Sequence, residues 1–290
     1  MKIEVKILKA FAKDGHGGNP AGIVVNEKEL KNDEKQKIAE AVGLSETVFI
    51  NRLSEDLFDV SFYTPNKEVD LCGHGTIAAF QLLLDEGIIR EGKYQQKTKA
   101  GTLDIIVTES NKILMEQNQP KFLDIVKNRR EVAESLGISI HDLIEALPIQ
   151  IVTTGLKDLM VGVKSNKILN DLSPVTKKIY KISEKYDVTG YHVFSLEQNE
   201  KEQANCRNFA PYYAIDEEAA TGTASGALAS YLYHYNQLDE KVLDQILFFQ
   251  GEKMGVHSAI KVQLETDQNK IQKVYVGGNA VLDGIRAIEI

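Results

Sequence analysis

The sequence predicts an α+β fold whose two halves are copies of one structural unit. Three observations lead to this prediction. Segments with the alternating pattern of strands outnumber the helical ones, and most are joined by short turns, which is typical of antiparallel and mixed sheets. A glycine-bearing turn followed by an apolar, alanine-rich helix also occurs once in each half, and this internal similarity indicates a duplicated unit.

The elements of the N-terminal half follow from local patterns. Ile3, Val5 and Ile7 alternate with charged residues, which predicts a half-buried first strand. A glycine-rich loop and a helix that ends at Gly43 separate the next strands. Strands are predicted at Ala21–Val25, Glu46–Ile50, Leu57–Tyr63, Thr102–Val107 and Ile113–Glu116, and an apolar helix at Thr76–Glu86.

The C-terminal half begins after a soft boundary near Pro120 and has the same mixture of elements. Helices are predicted at about Arg130–Leu136, Pro174–Tyr186 and Thr223–Tyr235. Strands are predicted at Gln150–Thr154, Leu159–Val163, Ala259–Leu264, Lys273–Val276 and Ile285–Ile290.

Composition excludes several classes of protein. With 290 residues, of which 43% are hydrophobic and 26% charged, the chain can bury a core. It has no apolar run near the roughly 18 residues of a membrane span and no signal-peptide h-region, so we expect a cytoplasmic protein without a membrane partner. A net charge of −8 argues against nucleic acid as a partner. Its two cysteines, Cys72 and Cys206, do not form a disulfide framework.

Glu46 is the most informative single residue. Period-two alternation places it on the same strand face as Leu44, Val48 and Ile50, so its carboxylate faces a core or a pocket. Burial is expected to raise the pKa of this carboxyl group, which would suit general acid–base chemistry. Two alternatives stay open, an exposed edge position and an acid paired with a basic neighbour.

His74 lies between Gly73 and Gly75 where the first apolar helix begins. A helix N-terminus disfavours an imidazolium ion, so a neutral ring is expected, and the glycines allow a ligand to approach the backbone. The alternative is a histidine that only caps its own helix. The other histidines considered offer no metal-ligand spacing, so no metal is expected; they are His16, His192, His234 and His257.

The two glycine-bearing turns are candidate anion sites. Free N–H groups at Gly75-Thr76 and Gly222-Thr223, with the helix dipoles behind them, favour a carboxylate or a phosphate, and Thr76 and Thr223 add hydroxyl groups. Neither turn carries a Walker or a dinucleotide pattern, which favours a small carboxylate ligand. The alternative is that the glycines serve only tight turns.

Cys72 begins the first turn, where a helix N-terminus lowers a thiol pKa. A two-thiol racemase would need a second cysteine at the matching place in the second turn, which we assign to Ala220. The sequence therefore favours a packing role for Cys72.

At these residues the chain resembles the PhzF-like family, the phenazine-biosynthesis isomerase and its relatives, of the diaminopimelate epimerase fold. The resemblance covers essentially the whole chain. The matching stretches are Gly18-Asn19-Pro20-Ala21-Gly22, Ser45-Glu46-Thr47-Val48-Phe49, Thr64 to Thr76, Arg207-Asn208-Phe209-Ala210-Pro211, Ala220-Thr221-Gly222-Thr223-Ala224, Gln250-Gly251 and Gly277-Gly278.

The resemblance implies two similar lobes, each with strands wrapped around one central helix, and an active site in the cleft between them. We expect an N-terminal lobe of residues 1–117, joined by the C-terminal strand at about 278–290, and a C-terminal lobe of residues 118–277. The resemblance also implies that the protein needs no metal or organic cofactor and forms a homodimer.

The resemblance also implies roles for individual residues. The catalytic glutamate falls on Glu46, the histidine on His74, and the second-turn carboxylate, usually Asp, on Glu218. The side chain of Glu218 is one methylene longer than that of Asp, so the resemblance does not identify the substrate. The implied substrate-binding residues are Asn19, Gly73, Gly75, Thr76, Thr221, Gly222 and Thr223.

Together these observations predict a cofactor-independent isomerase that abstracts and returns a proton on a small carboxylate-bearing substrate. A single base, Glu46, favours a proton shuttle. Two alternatives stay open. One is an amino-acid racemase or epimerase, which would need a second base, and the other is a non-catalytic small-molecule binding protein on the same fold.

Overall fold

The computed structural model describes residues 2–25 and 30–290. Met1 and residues 26–29, which belong to the predicted first lobe, lie outside the described residues. The chain divides into two compact units. Unit 1 is Met1–Glu116 with Gly277–Ile290, and unit 2 is Gln117–Val276.

The elements follow one another in this order. Up to the end of the first unit's main segment they are β1 (Lys2–Ala10), β2 (Asn19–Val25), α1 (Asn32–Val42), β3 (Thr47–Arg52), β4 (Leu57–Tyr63), β5 (Glu68–Val69), α2 (Gly73–Asp85), β6 (Gly92–Thr98), β7 (Gly101–Val107) and β8 (Ile113–Gln117). From there on they are β9 (Lys121–Ile125), α3 (Arg129–Ser135), β10 (Gln150–Thr153), β11 (Lys157–Val163), α4 (Asn166–Asp171), α5 (Thr176–Tyr186), β12 (Gly190–Ser195), β13 (Ala204–Ala210), β14 (Ile215–Glu218), α6 (Gly222–His234), β15 (Ile246–Gln250), β16 (Ser258–Asp267), β17 (Lys270–Gly278) and β18 (Ala280–Glu289).

Unit 1 is built on a mixed sheet. β1 pairs antiparallel with β2, β2 parallel with β3, and β3 antiparallel with β4. β4 then pairs antiparallel with the short β5 and parallel with β6, so that α2 lies in the connection between two parallel strands. The last strand, β18, pairs antiparallel with β1 along its whole length.

Unit 2 repeats this order of connections. β10 pairs antiparallel with β11, β11 parallel with β12, and β12 antiparallel with β13. β13 then pairs antiparallel with the short β14 and parallel with β15, with α6 in the connection. The prediction of an α+β fold with an internal duplication is confirmed, because the same strand directions recur around an equivalent helix.

The two repeated helices are buried on all sides. Both have 13 residues, and every side chain from His74 to Leu83 in α2 and from Ala224 to Leu232 in α6 is buried. A helix that is apolar all round must lie inside a domain. α2 packs against β1, β2 and β3 of unit 1, and α6 packs against β10, β11 and β16 of unit 2.

The other helices cover the outer faces of the sheets. Ile38, Ala39 and Val42 of α1 pack on Phe49 of β3, and α3 and α5 pack on β12 and β13. Each sheet therefore carries a central helix on one face and amphipathic helices on the other. Within the described ranges, no helix is both long enough and apolar enough to cross a membrane.

The structure corrects several predicted element bounds. α2 begins at Gly73 and α6 at Gly222, which places the glycines inside the first helical turn. β3 begins at Thr47, so Glu46 precedes the strand. Strands β12 and β13 were missed, because they are buried on both faces and therefore lack the alternating pattern that identifies a half-exposed strand.

Gly190, at the start of β12, allows the backbones of β12 and β13 to approach closely. A Cβ atom at this position would lie 2.0 Å from the Phe209 carbonyl oxygen. We expect Gly190→Ala to lower the free energy of unfolding by about 3 kcal/mol, measured by urea denaturation, because a backbone atom cannot move aside as a flexible side chain does.

Gly284→Ala in β18 is the matched control for Gly190→Ala. Its Cβ would meet nothing within 4 Å, so a change within about 0.5 kcal/mol is expected. Equal losses in both variants would contradict the close-packing argument.

Candidate active site

The N-terminus of α2 is capped by Cys72. Its Sγ atom accepts the Gly75 N–H at 3.3 Å, and its carbonyl oxygen accepts the Thr76 N–H at 3.0 Å. The prediction of free N–H groups at Gly75 and Thr76 is therefore wrong, because both groups donate hydrogen bonds to Cys72. The N–H groups of Gly73 and His74, the first two helical positions, have no hydrogen-bond partner in the part of the chain that the structure describes.

Glu46 and His74 form an ion pair at this helix end. Glu46 Oε2 lies 3.2 Å from His74 Nε2, and the two side chains are 20% and 9% exposed. Glu46 Oε2 is buried, and among the described residues it makes no hydrogen bond of good geometry. Cys72 Sγ lies 3.5 Å from Nδ1 and 3.9 Å from Nε2 of the same ring. The imidazole is thus in contact with both a carboxylate and a thiol.

The ionisation states differ from those predicted from the sequence. Burial raises the pKa of the Glu46 carboxyl group, but the contact with His74 and its positive charge outweigh this effect and leave the pKa below its ordinary value. Burial likewise lowers the pKa of His74, but the Cys72 sulfur and the Glu46 carboxylate outweigh it, and the pKa lies well above its ordinary value. The expected neutral ring and raised carboxyl pKa are both wrong, and the alternative of an acid paired with a basic neighbour describes Glu46 instead.

Cys72 is a thiol at neutral pH. Burial raises the pKa of its Sγ group, and the nearby positive charge of His74 does not reverse the shift. The contact with Cys72 and the Glu46 carboxylate both raise the pKa of the His74 imidazole. Ligand atoms of Glu46, Cys72 and His74 lie within 4.8 Å of one another, close enough to hold a metal ion. The search for metal ligands in the sequence compared only the spacing of histidines and therefore missed this group of three different residue types.

Two other predicted residues of unit 1 are buried within its interior. The Thr76 hydroxyl group lies 2.9 Å from the Cys72 carbonyl oxygen and 3.0 Å from Gln96 Oε1, so its proton is used within the unit. Asn19 is 8% exposed and begins β2, opposite Ala10 of β1. The predicted contact of the Thr76 side chain with a ligand is therefore not supported.

The N-terminus of α6 is arranged differently. Its cap residue, Thr221, does not cap through its side chain and instead donates its hydroxyl proton to Glu218 Oε2 at 2.6 Å. As a result the N–H groups of Gly222, Thr223 and Ala224 have no hydrogen-bond partner among the described residues. These three N–H groups, at the positive end of a 13-residue helix, can bind an anion.

Gln250 organises this second turn and was not predicted as a site residue. Its Nε2 group donates to the Glu218 carbonyl oxygen at 2.7 Å and lies 3.1 Å from Thr221 Oγ1. Its Oε1 atom accepts the Thr221 N–H at 3.2 Å. The sequence marks Gln250 as part of the matching stretch Gln250-Gly251 and as a polar residue that ends an apolar run, but neither feature indicates its partners.

The helix starts also correct the equivalence between the two turns. Cys72 is the cap residue of α2, and Thr221 is the cap residue of α6. Thr221, rather than Ala220, therefore occupies the place that matches Cys72. The second turn still has no thiol, and His74 is matched by Thr223.

The duplicated α+β units and their polar helix starts define a fold that is shared with solved structures. A hydroxyproline epimerase from Agrobacterium vitis has this fold, with a TM-score of 0.62 at 10% identity, covering 99% of this chain and 92% of that chain. The family model described as phenazine biosynthesis-like protein matches residues 8–284. The chain belongs to this PhzF-like family.

Two relatives are more similar. A Clostridium acetobutylicum protein named only as an uncharacterized isomerase is 34% identical over 284 residues, which are 95% of this chain and 94% of the relative. The crystal structure of a PhzF-family phenazine biosynthesis protein from Bacillus anthracis matches with a TM-score of 0.89 at 30% identity and covers 100% of both chains.

The ion pair predicts a distinct titration of His74. In the wild type, NMR signals of the His74 ring are expected to titrate well above the ordinary pH range of histidine, so the ring is charged at pH 7. In Glu46→Gln the midpoint is expected to fall, because burial remains while the negative charge is lost. His192 is an internal control, because burial lowers its pKa to about 3 and its signals should not titrate between pH 5 and 9. An unchanged His74 midpoint in Glu46→Gln would contradict the pairing.

Proposed function

We propose that the protein is a cofactor-independent isomerase that moves a proton from one position of a small carboxylate-bearing substrate to another. The observation that carries this proposal is the contact of 3.2 Å between Glu46 and His74 beside unpaired N–H groups of a buried helix. Glu46 can act as a base and His74 can stabilise negative charge, while the backbone N–H groups of the helix start can bind an anion.

Glu46 is the base of the proposed reaction. Because the pKa of its carboxyl group is lowered, Glu46 is ionised at neutral pH and ready to accept a proton. The carboxylate takes the proton from a carbon next to a π-system, and the electrons of the broken C–H bond move into that system. Glu46 then returns the same proton to a different carbon, so the product is an isomer of the substrate.

His74 stabilises the intermediate charge. While Glu46 carries the proton it is neutral, and the positive charge of His74 is no longer balanced by its partner. The imidazolium then stabilises negative charge that develops on the substrate. Cys72 Sγ contacts both nitrogens of the same ring, at 3.5 Å and 3.9 Å.

The substrate class is inferred from the helix starts. Free N–H groups occur at Gly73 and His74 and again at Gly222, Thr223 and Ala224, and hydrogen bonds from N–H groups to an anion contribute roughly 1.5–3 kcal/mol each. These local interactions favour a carboxylate even though the net charge of the protein is −8. The name of the Clostridium relative, an isomerase, agrees with this proposal.

We expect Glu46→Gln to abolish proton exchange while the protein stays folded. The amide keeps the shape of the side chain but cannot accept a proton, so a loss of at least about 10³-fold is expected. The measurement is deuterium incorporation from D₂O into a panel of small amino and hydroxy acids, followed by mass spectrometry.

The matched control for this experiment is Glu40→Gln, which removes an exposed carboxylate of α1 and should exchange like the wild type. Full exchange in Glu46→Gln would refute the assignment of Glu46 as the base. No exchange with any acid that binds the wild type would favour a binding protein without turnover.

A racemase or epimerase is the second candidate. It is favoured by the matching cap positions of Cys72 and Thr221, since both copies of the unit place a side chain that can carry a proton at the same point of the repeat. Thr221 is a hydroxyl that already donates to Glu218, and the pKa of Cys72 is raised, so neither is a ready base. The structure therefore favours the shuttle.

Cys72→Ser separates the two candidates. A serine hydroxyl can accept the Gly75 N–H as the sulfur does, so we expect folding to be retained and activity to fall by less than about tenfold. Product stereochemistry, followed by chiral chromatography, gives the second readout. A loss as large as that of Glu46→Gln, together with inversion of configuration in the wild type, would favour thiol chemistry and a racemase.

A further inference from the structure

Asp158 is a buried acid of unit 2 that the proposed reaction does not use. It is 1% exposed and lies second in β11, an otherwise apolar strand. Successive side chains of a strand point to opposite faces. The residues that alternate with Asp158 belong to the apolar core beneath α3 and α5, and they are Leu159, Val161 and Val163. Asp158 therefore points to the opposite face of the sheet.

That opposite face is covered by the central helix α6. Gly162, on the same face as Asp158, has the Phe194 ring 3.1 Å from its Cβ position. Phe194 in turn packs against Tyr231 of α6, with ring centroids 5.9 Å apart. Asp158 thus lies between the sheet and α6.

Asp158 lies near the N-terminal end of α6. In the turn between β10 and β11, the Thr154 hydroxyl donates to the Thr223 carbonyl oxygen at 3.1 Å. The next residue, Gly155, has its Cβ position 3.8 Å from the Thr223 methyl group. Asp158 follows three residues later, which places it towards the N-terminal end of α6, and Glu218 at the same helix end acts on its carboxyl group.

Other polar residues share this face of the sheet. His192 pairs with Asn208, and Asn208 pairs with Glu218, so the three side chains form a row across β12, β13 and β14. Asn208 Nδ2 lies 3.2 Å from His192 Nδ1. The titratable groups that face Asp158 are His192, which is uncharged because burial lowers its pKa to about 3, and Glu218.

The surroundings of Asp158 offer no counter-charge. Among the residues that the structure describes, its Oδ1 atom has no hydrogen-bond partner, and no basic side chain forms an ion pair with it. A buried carboxylate without a partner is very unfavourable, so the group keeps its proton. Burial, assisted by the negative charge of Glu218, raises the pKa of Asp158 well above its ordinary value.

We propose that Asp158 is a proton-bearing binding residue of the second turn, whose carboxylic O–H group donates to an anionic ligand held by the N–H groups of Gly222, Thr223 and Ala224. A neutral acid adds a donor without adding negative charge beside Glu218. The ligand class, an oxyanion such as a carboxylate, rests on the proposed function. The protonation of Asp158 does not rest on it.

The first test asks whether Asp158 carries a proton in the folded protein, and it measures the pH dependence of the free energy of unfolding. In wild-type protein the raised pKa of Asp158 contributes stability that is present below about pH 4 and is lost as the pH rises towards the folded-state pKa. Asp158→Asn removes this titration. The ratio of the wild-type and Asp158→Asn unfolding constants is therefore expected to change about tenfold per pH unit above pH 4, with the wild type losing stability relative to the variant. Urea denaturation between pH 4 and 8 measures it.

Asp244→Asn, which removes an exposed acid of the same unit, is the control and should follow the wild-type profile. If Asp158→Asn also runs parallel to the wild type, Asp158 is an ordinary ionised carboxylate and the proposal is wrong. A second measurement needs no variant. In wild-type protein with ¹³C-labelled aspartate, one carboxyl signal should stay at the protonated position at pH 7, and its absence would overturn the proposal.

Ligand contact is tested with sulfate, whose own charge is constant over this pH range. Asp158→Ala is expected to bind sulfate about 10-fold or more weakly than the wild type at pH 6, whereas Asp158→Asn keeps an N–H donor and stays within about threefold. Calorimetry measures both affinities. Equal affinity in Asp158→Ala, or no sulfate binding by the wild type, overturns the ligand contact. A failure of deuterium exchange with these results intact would refute only the isomerase.

Discussion

The start of a largely buried helix is the constraint on which the rest of this structure depends. α2 and α6 are surrounded by protein along most of their length, and their first N–H groups, at the half-buried Gly73, Gly222 and Thr223, need a side chain, a ligand or water as a partner. The chain satisfies part of this requirement itself. Cys72 accepts one N–H of α2 through its sulfur and another through its carbonyl group, and the first two N–H groups of that helix remain.

The two copies of the unit meet this requirement in different ways. In unit 2 the cap residue Thr221 donates its hydroxyl proton to Glu218, and three N–H groups of α6 have no hydrogen-bond partner within the described ranges. In unit 1 the cap residue is a thiol that serves the helix and supports His74. The same fold therefore carries a charged Glu46–His74 pair at the helix start of one copy and a Thr221–Glu218 hydrogen bond at that of the other.

Charge is distributed accordingly. His74 is buried beside Glu46 and carries a positive charge, whereas His192 is buried beside Asn208 and does not. Glu46 is ionised because His74 lies 3.2 Å away, and Asp158 keeps its proton because it is buried near Glu218 without a basic partner among the described residues. Burial disfavours the charged form of all four residues, and the neighbouring groups determine whether each side chain is charged or neutral.

The sequence by itself determined the α+β class, the duplication, and the two turns, because strand alternation, glycine position and apolar helices are local patterns. It also singled out Glu46, His74 and Glu218, largely through the resemblance to the PhzF-like family. Only the tertiary structure decided the protonation states and which N–H groups stay free. These depend on distances between residues far apart in the chain, such as Glu46 and His74, or Gln250 and Thr221. Asp158 shows the same limit, since an acid in an apolar strand is visible in the sequence, but the helix end that it faces is set by the packing of α6 on the sheet.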